Sequence, residues 1–207
     1  MTEGPDGRTR RWETTHRRIV VAALALFQEH GFDEVNVARI AAAAGVSVPT
    51  FYAHYPSKEH VIMQLPTAEE TAALLAAQPA DLPLGQQIRR SAVQMVTQLV
   101  EDDHAELAAR WQVIAATPAL RNRAAEFERT TAAMVLESLG AAGRRTAGPS
   151  DAVVAGAYLS AYTVGLLVWA DSGCERKLVE CVEEAFDVLE STRLTQVSDP
   201  GSGAPRR

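Results

Sequence analysis

The sequence is poor in cysteine and lacks the marks of export, of sheet structure and of enzymatic chemistry. Its 207 residues hold two cysteines, Cys174 and Cys181. Seven residues of helix would keep them about 10 Å apart at 1.5 Å rise per residue, beyond disulfide reach. A reducing, cytoplasmic setting is therefore expected. No basic segment followed by an apolar core opens the chain, which argues against secretion. No alternating strand pattern interrupts the helical periodicity of its last two thirds. There is no P-loop, GxGxxG or GxSxG, and no CxxC; the histidines His16, His30, His54, His60 and His104 show no HExxH or other ligand spacing. Neither an enzyme nor a cofactor or metal site is expected. The acids of "EDDHAE" at 101–106 read as dipole partners at a helix start rather than as metal ligands.

Long apolar runs are also scarce, with one exception. "AVVAGAYLSAYTVGLLVWA", Ala152 to Ala170, carries no charge over nineteen residues, enough by length to span a bilayer. Small and hydroxyl-bearing residues dilute it, and Asp151 and Asp171 flank it where Lys or Arg anchors would be expected. A helix apolar all round is also what a soluble protein buries on both sides. The expectation is one side toward the chain's own core and the other toward a partner chain, with no membrane involved.

What the sequence does have is enough apolar material, 47%, for a substantial core, and an uneven distribution of charge. The net charge is -6, yet residues 1–60 are balanced, with seven Lys/Arg against seven acids; the rest holds thirteen against nineteen. Five arginines lie between Arg8 and Arg18. Such an arm can attract phosphate within a Debye length or simply solubilise the chain. Gly, Pro and charge at the two ends suggest a disordered basic arm over 1–13 and a disordered tail over 196–207.

Between them the punctuation is clear. Thr14 or Thr15 can cap a helix with apolar positions Ile19, Ala22, Ala23, Leu26 and Phe27, ended by Gly31. Asn36 suits the N-cap of a short "VARIAAAA" helix that Gly45 stops. Ser47 caps a third, with Pro49 in its first turn. Helix, glycine turn, helix is the arrangement of DNA readers. Val46 and Phe51 are expected to face the core. Ser47, Thr50, Tyr52 and His54 then lie on the exposed side, with Tyr55 and Lys58 at the far end, and their polar tips suit phosphates and base edges.

Over its whole length "IVVAALALFQEHGFDEVNVARIAAAAGVSVPTFYAHYPSKEHVI", Ile19 to Ile62, resembles the N-terminal domain of TetR-family transcriptional regulators. The resemblance implies DNA contacts from Thr50, Tyr52, His54, Tyr55 and Lys58, with Asn36 and Arg39 nearby. Pro49 departs from the small residue usual there and, lacking an N–H, could touch DNA only by van der Waals contact.

The remaining chain reads as helices near 57–77, 84–101, 103–116, 118–140, 150–172 and 174–194. The fold class is thus all-α, about nine helices: a helix-turn-helix domain over 14–62 and an effector-binding and dimerisation domain over 63–195. In the family the last two helices pair with a second copy. Here that implies an interface of Val154, Leu178, Val182, Phe186 and Leu189, with "LVECVEEAFDVL" supplying the α-helical stripe. Dimerisation is also a physical demand, because one short reading helix meets few base pairs.

Most of the large side chains in the middle helices should be plain core. A cavity for an effector would draw on Gln94, Trp111, Phe127, Tyr158, Tyr162 and Trp169. A second resemblance, of residues 109–140 to acyl-CoA-type ligand domains of the same family, implies phosphate contacts from Arg121 and Arg123. The expected partners are double-stranded DNA, a second copy and a small, largely apolar effector such as an acyl-CoA or drug-like compound. The expected activity is repression as a dimer on a pseudo-palindromic operator. The alternative is a DNA-binding regulator that senses no ligand.

Overall fold

The computed structural model describes residues 7–63, 66–99, 101–141 and 146–197. It is all-α: ten helices and no strand among those residues. They are α1 Gly7–His30, α2 Val37–Ala43, α3 Val48–His54, α4 Lys58–Ile62, α5 Ala68–Ala76, α6 Leu84–Thr97, α7 Glu101–Ala116, α8 Pro118–Ala141, α9 Pro149–Asp171 and α10 Leu178–Val197.

Several boundaries differ from the sequence reading, three of them for a clear local reason; in addition α6 ends at Thr97 instead of 101. α1 starts at Gly7 rather than at Thr14 or Thr15, so residues 7–13 of the expected disordered arm are helical; 1–6 lie outside the described residues. Trp12 secures this extension by stacking on His16 of its own helix and on His54 of α3. The expected 57–77 helix is two helices. Pro66 offers no N–H and disfavours helix in the residue before it. A fresh start follows at Thr67, where the hydroxyl accepts from Glu70 N at 3.1 Å and the Glu70 carboxylate accepts from Thr67 N at 2.7 Å, a full capping box. Finally, α10 begins at Leu178 instead of 174, because Gly173 and Cys174 both adopt positive φ, +69° and +62°, which no α-helix continues through. α10 runs to Val197; residues 198–207 of the expected tail lie outside the described residues.

The chain divides into two compact units. The first comprises residues up to 66 with 100–127, so α7 and the start of α8 pack with the N-terminal helices. Its core is Ile19, Val20, Ala23 and Phe27 of α1 against Ile40, Phe51, Val61 and Ile62, closed by Val113, Ile114 and Leu120. The second unit holds residues 67–99 and 128 onward. There α9 and α10 lie against each other and against α6, over Tyr158, Leu166, Trp169, Leu178, Val182 and Phe186. Gly165 allows the α9–α10 approach: a Cβ there would lie 2.8 Å from Val182 Cα. The free thiols are Cys174, half-exposed, and Cys181, buried.

Candidate DNA-binding surface

The reading helix is set by local caps and by long cations. Asn36 Oδ1 accepts from Arg39 N at 2.9 Å and starts α2. Gly45 then turns the chain with φ +64°, a conformation that costs glycine nothing. Ser47 Oγ accepts from Thr50 N at 3.1 Å and shares a hydrogen bond with the Thr50 hydroxyl at 2.7 Å. Pro49 occupies the first turn of α3, where its missing N–H is harmless.

Local capping leaves the carbonyls at the ends of these helices unanswered. Cations from elsewhere in the unit answer them. The Arg18 guanidinium of α1 donates to Ala44 O, at the end of α2, and to Gly45 O. Arg110 of α7, only 5% exposed, donates to Val61 O and Ile62 O at the end of α4 and pairs with Glu106. Lys58 does the same for the corner after α1. Its ammonium donates to Phe32 O at 2.7 Å and Val35 O at 2.9 Å and lies 4.3 Å from the Phe32 ring centre.

These contacts revise part of the predicted site. Lys58 is committed to the α1–α2 corner and does not stand free for phosphate. Tyr55 is 3% exposed and stacks on His16 at 4.4 Å, so it belongs to the core; an aromatic pair on α3 looks alike in sequence whether it faces inward or outward. His54 is half-buried with its ring against Trp12 at 4.9 Å. Tyr52, by contrast, is exposed, as are Ser47, Val48, Pro49 and Ala53. Thr50 lies half-buried at the edge of that surface, and Asn36 and Arg39 are exposed on α2. Val46 is half-buried and Phe51 fully buried.

Desolvation lowers the pKa of both His16 and His54. For His16 the neighbouring His54 and Arg110 charges lower it further, against an opposing pull from Glu106. Burial under the stack thus disfavours the charged form of both rings. The positions that Trp12, Arg18 and Arg110 take up could not be read from the sequence, since His54, Ala44 and Val61 lie 42, 26 and 49 residues away from them.

The predicted effector residues do not assemble within either unit. Trp111, Arg121 and Phe127 belong to the first, and Gln94, Tyr158, Tyr162 and Trp169 to the second. Arg121 Nε donates to Ala115 O at 2.6 Å, at the end of α7. Gln94 accepts from Gln78 at 3.2 Å. Tyr158 and Trp169 are core, 2% and 0% exposed. Tyr158 fits beneath Gly85, where a Cβ would clash with its ring, and donates its hydroxyl to Glu190 at 3.0 Å. That carboxylate is also held by Arg89 and Gln86. Burial pushes the Tyr162 phenol well above its ordinary pKa. Two open grooves occur among the described residues. One, of ≈ 680 Å³, lies between Phe27, Phe32 and the α7–α8 corner at Thr117; the other, of ≈ 660 Å³, runs along the outer side of α9 and α10. None of the predicted effector residues lines either.

The predicted dimer residues need a similar correction. Leu178, Val182 and Phe186 are 4%, 0% and 0% exposed and pack α10 onto its own neighbours; Val154 and Leu189 are half-buried. Among the described side chains of these two helices, the large apolar ones left outside are Val153, Val164 and Val168 of α9 and Val188 of α10. α10 carries two apolar stripes, and the stronger one is spent on the core.

Comparison with known proteins agrees with this architecture. The profile for bacterial regulatory proteins of the tetR family matches residues 19–65. The MftR C-terminal domain profile matches residues 82–194, more than half of the chain. An uncharacterized HTH-type transcriptional regulator of Mycobacterium tuberculosis is 34% identical over 58 residues, 28% of this chain and 27% of the relative. A second such regulator of that species is 35% identical over 52 residues, 25% of this chain and 26% of the relative. The matched stretch thus spans about a quarter of these relatives' length. Among solved structures, the fatty acid degradation regulator FadR from Bacillus halodurans superposes with TM-score 0.54 at 20% identity, covering 91% of this chain and 96% of that one. NalD, the secondary repressor of the MexAB-OprM multidrug efflux pump in Pseudomonas aeruginosa, gives 0.55 at 20%, covering 86% and 96%. Such identities speak for the fold. With a helix-turn-helix profile on α1 to α4 and a C-terminal profile of the same kind over α6 to α10, the chain belongs to the TetR family of bacterial regulatory proteins.

Proposed function

We propose that the protein is a dimeric, cytoplasmic repressor that acts by binding rather than catalysis, holding a pseudo-palindromic operator and leaving it when a small, largely apolar effector binds. The observation behind the DNA half is the outer face of α3: Pro49, Tyr52 and Ala53 are exposed on a helix whose entire inner side is fixed. Thr50 at its edge and Tyr52 supply hydroxyls to bases and phosphates, Ser47 and Pro49 approach the backbone, and Arg39 with Asn36 meets the flanking phosphate. His54 lines the edge nearest α1.

The dimer forms through the outer sides of α9 and α10. α9 is apolar and long enough to cross a membrane, yet only 28% of its most apolar window is buried within the chain. The uncovered stripe of Val153, Ala157, Val164 and Val168, continued by Ala185 and Val188, is narrow and made of small side chains, as helix-on-helix packing between copies requires. Val164→Glu with Val188→Glu should give a monomer by sedimentation and lose operator affinity together.

Solved relatives of the same fold include a fatty acid degradation regulator and an efflux-pump repressor, so acyl-CoAs and drug-like compounds are the first effectors to test. An effector must favour the non-binding state by differential affinity. The deciding experiment selects duplexes from random DNA and measures anisotropy at several salt concentrations with nonspecific competitor. A competitor-resistant, two-fold-symmetric site supports the reading; binding that competitor abolishes for every selected sequence refutes it. Undiminished affinity across the compound panel would favour the ligand-independent alternative.

A further inference from the structure

The first turns of α1 touch the end of the reading helix, where Trp12 and His16 meet His54. Arg18 touches the turn at Ala44 and Gly45, which joins α2 to α3. Trp12 stacks on His54, where α3 ends. α1 thus meets the neighbourhood of α3 at two places, the turn before it through Arg18 and its last residue through Trp12.

Helical phase then distinguishes two adjacent arginines. At 3.6 residues per turn, Arg11 is one heptad before Arg18, within about 20° of its direction, and so on the side of α1 from which Arg18 reaches the turn before α3. Arg10 points about 160° away from Trp12, off the opposite side. Both are exposed, and Arg11 makes no hydrogen bond or ion pair among the described residues, unlike Arg18 on the same face. No acid accompanies these arginines in the first turn of α1, so they oppose the helix dipole instead of completing it.

We propose that the N-terminal extension of α1 is a second DNA-contacting element, in which Arg11 grips a backbone phosphate beside the half-site while the Trp12–His54 stack fixes its position. This rests on the reading of α3 as a DNA reader and extends it to a residue outside the helix-turn-helix. The guanidinium fork suits a phosphate, and one such contact adds a counterion-release increment to affinity without base preference. Trp12 is a positioning residue: its indole, 49% exposed, joins the extension to α3.

The test uses the full chain and a duplex selected from random DNA by the wild-type protein, with anisotropy from about 50 to 200 mM salt. Arg11→Ala should weaken binding about five-fold or more at the low end and flatten the log–log salt slope by about 0.9. Arg10→Ala should change affinity less than about two-fold by the same reasoning. In a Trp12→Ala background the Arg11→Ala effect should shrink to that level. Denaturation midpoints of both arginine variants should match wild type, since both side chains are exposed. Equal losses for Arg10→Ala and Arg11→Ala, or none for either, would overturn the inference while leaving the α3 reading intact. Failure of the wild-type protein to select any duplex would remove both.

Discussion

Replacing Lys58 by Met separates two accounts of one side chain. The sequence pattern suggests a phosphate contact, whereas the structure commits the ammonium to Phe32 O and Val35 O. Methionine keeps most of the apolar stem over Phe32 and removes only the charge and its donors. Hydrogen bonds from a charged donor are worth about 1.5–3 kcal/mol each, and the half-exposed position reduces this to about 1 kcal/mol each. The 4.3 Å approach to the Phe32 ring adds about 0.5–1 kcal/mol, while the 3.5 Å contact to Asp33 O adds little. The expected loss is about 2–3 kcal/mol. With an m-value of about 2 kcal/mol/M, the urea midpoint should fall by about 1 M. Where both proteins remain folded, the salt slope of DNA binding should be unchanged. A midpoint within about 0.2 M of wild type, together with a slope flatter by about 0.9, would show that Lys58 faces DNA and that the corner needs no cation.

Arg110→Met should cost more, about 3 kcal/mol or above, because it strands Val61 O, Ile62 O and the Glu106 carboxylate in a nearly closed site; Arg110→Lys should recover only part, having fewer donors in the wrong geometry. Both are read by urea denaturation. Acid should weaken the fold through His16 and His54: their folded pKa values lie below the ordinary 6.5, so the unfolded chain takes up protons first. Their contribution is complete above about pH 6.5 and is lost as pH falls through the depressed values. The urea midpoint should drop between pH 7.5 and 5, and His16→Gln should flatten that dependence. Gly165→Ala should lower the melting temperature by forcing a methyl against Val182 and Cys181 backbone, about 1–3 kcal/mol of overpacking. Gly156→Ala, with open space at its Cβ, should be neutral or stabilising by up to about 1 kcal/mol.

The legible parts of this fold share one property: their cause lies within four residues. Asn36 and Ser47 bond to N–H groups three positions on, and Gly31 and Gly45 take the positive φ that ends a helix, so the helix-turn-helix can be read directly. The 57–77 segment was misread because its apolar period carries across Pro66 while the backbone cannot. The burial of Leu178, Val182 and Phe186 within the chain escaped the sequence for a different reason. α10 buries Leu178, Cys181, Val182 and Phe186 and leaves Ala185 and Val188 toward its outer side, and local sequence does not say which of these meet α9 and α6. α9 is apolar all round, so its own pattern could not orient it either.

The same distinction decides what the basic residues are for. Of the seven Lys and Arg in the first sixty residues, Arg18 and Lys58 answer backbone carbonyls 23 to 27 residues away, and Arg110 joins them from 48 and 49 residues away. A helix C-terminus satisfied at that range is invisible to periodicity, and an arginine so used looks like any solvated charge. Because these cations fix the pose of α3, removing one should disturb stability before it disturbs salt dependence. Exposed arginines such as Arg11 and Arg39 should show the reverse order. Measuring midpoint and salt slope on the same variants therefore sorts the cations into those that build the reader and those that touch what it reads.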